Sequence, residues 1–380
     1  MTDVTEWLLD PEVAYLNHGA FGALPKSVGA AAADLRLQME RDPTDLLARR
    51  LPGLIDDVRG RLSELLGGDE AGAVFVANAT SGTQTVIASL AARFEPGDEL
   101  VMTDHRYGAV DAQLTRAAAE RGTTTVVAHV PLDLTGPAEV VAAITERFTE
   151  RTKLLVVDSV ASLSGFHFPV ADIVAAAHER GVPVLVDAAH APGQVDVDLR
   201  SIGADFWVGN LHKWVCSPRA AAYLHIAPKW RDSIRPLVAS HGFTGSLQDA
   251  FDWTGTLDPV TILAVPAALE FWSASGGWDD VRRRQRSIVD DGASRVAAAV
   301  GTEAAVAGSF RAAMRIIRLP TPLGADADAA RSIETVLAEK YRIEVSLMPL
   351  HGQSWVRVCG QIYNTPDDYD RLGVALGELL

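Results

Sequence analysis

Seven short runs of β-branched and aliphatic residues recur between residues 73 and 226, and most are apolar throughout rather than alternating. They are AVFVAN from Ala73, ELVMTD from Glu99, TTVVAHV from Thr124, KLLVVDSV from Lys153, PVLVDAAH from Pro183, DFWVGN from Asp205 and AAYLHI from Ala221. A strand with one wet face alternates in polarity, whereas a strand covered on both faces does not. Alanine-rich segments such as VGAAAADLRLQMERD and VVAAITERFTE separate such runs and read as amphipathic helices. Together these patterns predict an α/β fold built on a mainly parallel, seven-stranded sheet.

Such a sheet says where chemistry should lie. In open α/β sheets, ligands sit beyond the carboxyl ends of the strands. Polar residues collect there: Asn78–Thr83, Asp104–Tyr107, Ser159–Ser162, Asp187–His190 and Asn210–Lys213. Lys213 is the most demanding of them, because a lysine at the end of a buried strand is unfavourable unless something neutralises it, pairs with it or reacts with it.

After about residue 255 the texture changes. LAVPAALEFW reads as a helix behind Pro259, and RAAMRIIRLP, IEVSLMPL and WVRVCG read as strands. A chain of 380 residues fits one large and one smaller domain. The expected division is an N-terminal segment, 1–20, near the active site or the smaller domain; a large domain, 21–255; and a smaller α+β domain, 256–380.

Composition excludes several roles. A net charge of −15 leaves no electrostatic footprint for nucleic acid or an anionic membrane. No uncharged apolar stretch reaches the ~18–20 residues of a membrane span. The two cysteines, Cys216 and Cys359, make neither a disulfide framework nor a zinc cluster and read as small buried hydrophobes, so no metal is expected. An acidic N-terminus without a signal-peptide pattern adds to an expectation of a reducing cytoplasm. The motifs of dinucleotide, P-loop, zinc-protease and serine-hydrolase sites are missing from the sequence.

What is present suits pyridoxal phosphate. That cofactor needs a lysine amine to attach to, a carboxylate facing its pyridine nitrogen and donors for its phosphate. Lys213 supplies the amine, and Asp187, 26 residues earlier, the carboxylate. NATSGT, Asn78–Thr83, opens a helix just after a strand and offers N–H groups and hydroxyls to phosphate.

At this point the sequence resembles a known family. YLNHGAFGALPKSV, NATSGTQTV, DHRYGAV, VDAAHAPGQVDVDLRSIGADFWVGNLHKW, WTGTLDP and RVCGQIYNTPDD occur in this order, and the match covers nearly the whole chain. The chain is similar to the class-V aminotransferase family of fold-type-I pyridoxal-phosphate enzymes, and within it to the isopenicillin N epimerase-like branch. The resemblance implies that Lys213 carries the cofactor and later moves the Cα proton. It implies that Asp187 faces the pyridine nitrogen, with His190 near the ring's phenolic oxygen. Ala79, Thr80, Asn210 and His212 would contact phosphate, and His105 or Tyr107 would lie over the ring, Tyr107 being alternatively a proton donor. Thr256 would reach the phosphate of a neighbouring subunit, implying a homodimer with shared sites. Arg357 would clamp a substrate carboxylate, and Asn17 and His18 would line the substrate side. Leu257 departs from the pattern, standing where arginine often precedes Asp-Pro, so an exact substrate does not transfer.

The family includes cysteine desulfurases, kynureninases, epimerases, aminotransferases and C–S lyases. KYRIEVSLMPLHGQSW, before the Arg357 strand, lacks the nucleophilic cysteine of a desulfurase, and Cys359 lies beyond that arginine. The expected activity is therefore Cα deprotonation of a small amino-acid or cysteine-conjugate substrate, ending in β-elimination or epimerisation. Transamination and decarboxylation, oxidative or not, are the alternatives. A non-catalytic relative would not need Lys213, Asp187 and Arg357 together.

Overall fold

All seven apolar runs form strands of one sheet. They are β1 (Ala73–Val76), β2 (Glu99–Thr103), β3 (Thr124–Ala128), β4 (Thr152–Asp158), β5 (Val184–Asp187), β6 (Phe206–Asn210) and β7 (Ala222–Ile226). The computed structural model describes residues 4–304, 310–320, 323–324 and 326–380. The strand order is β1-β7-β6-β5-β4-β2-β3. Pairs from β3 through β6 are parallel, while β7 inserts antiparallel between β1 and β6.

The uniform apolarity of the runs has the expected cause. Helices α1 (Lys26–Arg41), α2 (Leu51–Leu65), α3 (Ala79–Leu90), α4 (Gly108–Arg121), α5 (Pro137–Thr145) and α6 (Val170–His178) cover both faces. Leu154, Val156, Leu185 and Phe206 pack with α3 and α4, and their neighbours Leu155, Val157, Val186 and Trp207 pack with the helices on the other side. Strand β3 is the exception. It closes an edge, and Thr124 and Val127 are exposed. Helix α5 stops at Thr145, short of the ERFTE stretch expected to continue it.

The C-terminal part contains α7 (Val265–Ala274), α8 (Trp278–Val300), β8 (Met314–Arg318), α9 (Ala327–Tyr341), β9 (Ser346–Leu350), β10 (Gln353–Cys359) and α10 (Pro366–Leu379). Its three strands form an antiparallel sheet of order β9-β10-β8. A core of Val289, Val296, Ile317, Val356, Val358 and Leu372 joins this sheet to α8 and α10. Within the expected smaller unit, 256–380, Leu263, Val265 and Ala268 share a core with Val28 of α1 and Leu51 of α2. The N-terminal segment pairs in parallel with this C-terminal part, Ala14 opposite Ile343 and Tyr15 opposite Glu344. Among the described residues, no helix is long and apolar enough to cross a membrane.

Candidate active site

The segment between β6 and β7 carries Lys213 into a cavity of about 320 Å³ beyond the strand ends. Its backbone is held from behind. The Lys213 carbonyl lies 3.0 Å from His18 Nε2, and His18 Nδ1 lies 3.0 Å from the Tyr363 hydroxyl. Burial pulls His18 down to about 3, so this imidazole is neutral and its one ring proton serves the Lys213 carbonyl, with Tyr363 donating to the other nitrogen. Gly22, at φ +70°, permits a close approach here, since a Cβ would meet the His212 carbonyl at 2.0 Å.

The amine of Lys213 is tuned by its surroundings. Nζ lies 3.0 Å from His190 Nε2, and the Trp214 indole N–H donates to His190 Nδ1 at 3.4 Å. Burial, then the Lys213 charge, hold His190 well below the ordinary histidine range. With Nδ1 accepting from Trp214, the ring proton sits on Nε2 and points at Nζ, which can accept it only as a free amine. Burial, then the Arg357 charge, lower Lys213 to about 8, against the opposing pull of Asp187.

Two carboxyls end adjacent strands. Asp158 of β4 and Asp187 of β5 are paired in register. Burial, then the Asp187 charge, raise Asp158 well above the ordinary carboxyl range. Burial also raises Asp187, but Oδ1 accepts the Ala189 N–H at 3.0 Å, which favours its ionised form. The pair therefore holds one proton in preference on Asp158 and one negative charge on Asp187.

Helix α3 begins at the same opening. Asn78 Oδ1 accepts the Ser81 N–H at 2.9 Å and Ser81 Oγ accepts the Asn78 N–H at 3.1 Å, a reciprocal cap that fixes the first turn. The Ala79 N–H donates to Asn210 Oδ1 at 2.8 Å. That donor, expected to face a phosphate, is thus taken, and Asn210 ties the helix start to the end of β6. Thr80 lines the cavity, and His212 Nδ1 is buried without a hydrogen-bond partner.

Arg357 on β10 is buried behind the cavity wall. It donates to the Ser162 carbonyl and, at 2.9 Å, to Asn17 Oδ1. Its Nε has no partner, and no carboxylate pairs with it among the described residues. Ser162 lines the cavity, so the guanidinium stands one residue behind the wall as an uncompensated cation.

Of the residues singled out from sequence, Ala79, Thr80, Tyr107, Asp187, His190, Asn210, His212 and Lys213 line this one cavity. Asn17 acts through Arg357. Five residues singled out from sequence do not line the cavity: Arg357 and Asn17, which lie behind the wall, and His105, His18 and Thr256. His105 is fully buried, with Nδ1 2.7 Å from Ser164 Oγ and Nε2 2.7 Å from the Val130 carbonyl, so both ring nitrogens are occupied and Tyr107 stands on the wall instead. His18 supports Lys213 from behind rather than facing the substrate side. Thr256 is exposed and away from its own chain's cavity, beside Leu257, which is 67% exposed. Asp158 and Arg219 line the cavity and escaped the sequence reading, while Ser162, noted among the polar residues at the strand ends, was given no role. Asp158 ends an apolar run, the same signal that marked Asp187.

The chain matches the model of the family described as aminotransferase class-V over residues 15–372. It is 30% identical to a probable chloroplastic L-cysteine desulfhydrase of Arabidopsis thaliana, covering 98% of this chain and 84% of that protein. It is 31% identical to the isopenicillin N epimerase of Streptomyces clavuligerus, covering 98% and 96%. A solved structure of C-DES with glycine covalently linked to its PLP cofactor superposes with a TM-score of 0.86 at 20% identity, over 100% of both chains. The apo cysteine desulfurase of Thermococcus onnurineus gives 0.80 at 17% identity, over 99% and 96%. The fold is therefore that of the fold-type-I pyridoxal-phosphate enzymes.

Proposed function

Because the chain belongs to the class-V aminotransferase family, whose cofactor is pyridoxal phosphate, we propose that it cleaves the C–S bond of cysteine or a cysteine conjugate by β-elimination. The observation that carries this reading is a buried lysine in the cavity, lowered to about 8, with an arginine lacking any carboxylate partner among the described residues one residue behind the cavity wall.

The residues present fit the cofactor. Asp187 offers a fixed negative charge, the α3 N-terminus with Thr80 offers donors suited to a phosphate, and the orphaned His212 Nδ1 lacks a partner that a phosphate oxygen would supply. When bound, pyridoxal phosphate stabilises negative charge developing at a substrate's Cα. Lys213, as a free amine, takes the proton from that carbon, and His190 holds Nζ in position. Arg357, pre-oriented by Asn17 and Ser162, binds the substrate carboxylate. The Cβ–S bond then breaks and the sulfur leaves, protonated, as a thiol or hydrogen sulfide; the aminoacrylate left behind tautomerises and takes up one water to give pyruvate and ammonia.

Both cysteines are fully buried, outside the cavity, with thiols pushed up chiefly by burial. Neither is placed to accept sulfur, which favours elimination over a desulfurase reaction. Free, buried cysteines also agree with a reducing cytoplasm. Epimerisation is the second reading, favoured by Tyr107 on the cavity wall, where a second acid could return a proton. Thr256, exposed on this chain, is proposed to complete the site of a partner in a homodimer.

The test is to offer the cofactor-loaded protein cysteine, cystine and S-substituted cysteines in deuterated buffer. Pyruvate with an equal amount of hydrogen sulfide from cysteine, of cysteine persulfide from cystine or of thiol from an S-substituted cysteine supports elimination. Deuterated product of inverted configuration without pyruvate replaces it with epimerisation. No exchange at Cα with any substrate overturns both.

A further inference from the structure

Outside the cavity, three side chains converge where the tip of the β9–β10 hairpin meets the large sheet. Asp104 directly follows β2 and His129 directly follows β3, and the pairing of Thr103 with Ala128 sets them side by side. His351 comes from the hairpin turn. His129 Nδ1 lies 2.5 Å and His351 Nε2 2.8 Å from the same oxygen, Asp104 Oδ2. One donor atom from each residue lies within 4.8 Å of the other two. Asp104 Oδ1 accepts the Val130 N–H at 3.0 Å, which fixes the carboxylate plane.

We infer that Asp104, His129 and His351 form a binding site for a divalent cation of the zinc class, which would clasp the hairpin tip to the ends of β2 and β3. Two imidazoles and one carboxylate are a donor set that zinc, cobalt and nickel favour over magnesium or calcium. Bonds of ~2.0–2.2 Å place donors no more than about 4 Å apart. A shift of about 1 Å or less brings all three into range, and the His129 side chain is 65% exposed and free to make it. The same exposure leaves a coordination position for water.

The surroundings favour the ion. No lysine or arginine pairs with Asp104 among the described residues; the groups within 4 Å of its carboxylate are imidazoles. Neighbouring His105 is not a competing ligand, since Ser164 and the Val130 carbonyl hold its ring. The turn is a two-residue one, His351 at φ +50° and Gly352 at φ +72° between paired Leu350 and Gln353. Asparagine-glycine is the usual choice for such a turn, so an imidazole there serves something besides the turn. None of the three residues lines the Lys213 cavity, so the site stands apart from the C–S lyase reading.

The test is calorimetric titration of zinc into chelator-treated, cofactor-loaded protein, alongside the H129Q/H351N double variant. His129 is exposed and asparagine keeps the turn, so the double variant folds; its melting curve without metal checks this. The expected result is about one zinc per chain, with affinity at least about tenfold weaker in the double variant. Zinc should raise the melting temperature of the wild type only. No uptake by the wild type overturns the assignment. So does equal affinity in both proteins, which would mean an ion held elsewhere.

Discussion

At the residue scale, function rests on groups kept away from their ordinary protonation. Lys213, lowered to about 8, should react with acetic anhydride in the cofactor-free protein at a rate that climbs with pH and levels off above that value. Mass spectrometry of the labelled peptide measures it, and a midpoint near the ordinary lysine range would remove the free-amine argument. Lys213→Ala should lose the visible absorbance of attached cofactor and lower turnover by at least ~10³-fold. The Asp158–Asp187 pair makes a stability prediction. Burial raises the folded Asp158 carboxyl well above 3.8, so as pH climbs past 3.8 the unfolded chain releases a proton that the folded chain keeps. The pair's contribution to stability is therefore greatest at low pH and falls as pH rises through that window. Asp158→Asn should flatten the decline in cofactor-free protein and raise its stability at pH 7 by on the order of 1 kcal/mol, read by urea melts at several pH values. Lys213 and Asp187 were legible because each closes an apolar run inside a dense polar motif. Asp158 closes a similar run but is followed by Ser-Val-Ala, with no companion chemistry to draw attention to it. His105 and Tyr107 are two residues apart on one loop, and only backbone direction separates a buried ring from a wall residue.

At the element scale, the site depends on how α3 begins and how closely the segment after β6 passes Gly22. Gly22→Ala combines a φ of +70° with a Cβ 2.0 Å from the His212 carbonyl, so it should destabilise the protein by more than ~2 kcal/mol. It should also lower cofactor affinity, because the displaced backbone leads directly into Lys213; thermal melting and equilibrium dialysis check the two effects. Asn78→Ala removes one half of the reciprocal cap and should cost about 1 kcal/mol. The strands were readable because burial on both faces leaves a continuous apolar run. The edge position of β3 was not, since its sequence is as β-rich as a central strand and its exposure follows from having one neighbour. The packing of α7 was hidden for a related reason: an apolar helix states that it is covered, and the partner is a tertiary choice between α1 and the later sheet.

At the scale of the whole molecule, the cavity lies beyond the strand ends of the large sheet, with Ala20 and Phe21 of the N-terminal part on its wall. Leu237, Val238 and Leu257 are each more than half exposed, apolar surface of the kind a second subunit would cover. Light scattering should give twice the chain mass, and Leu257→Asp should shift the protein toward monomer. A Thr256→Ala chain mixed with a Lys213→Ala chain should regain activity from one intact site per dimer, whereas an unaltered monomer would exclude the shared site. A different consequence follows from the place of β7. Strand β1 is made early, yet its neighbour in the sheet, β7, is completed at residue 226, and His18 meets Tyr363 only when synthesis is nearly done. On the ribosome the early strands must therefore wait, and pairing across such sequence separations is slow. A chain that stalls after the large sheet has closed can carry Lys213 and Asp187 in place and still lack both Arg357 and the tyrosine that seats His18. The complete constellation around Lys213 is thus withheld from fragments by topology alone, and exists only once the whole chain has folded.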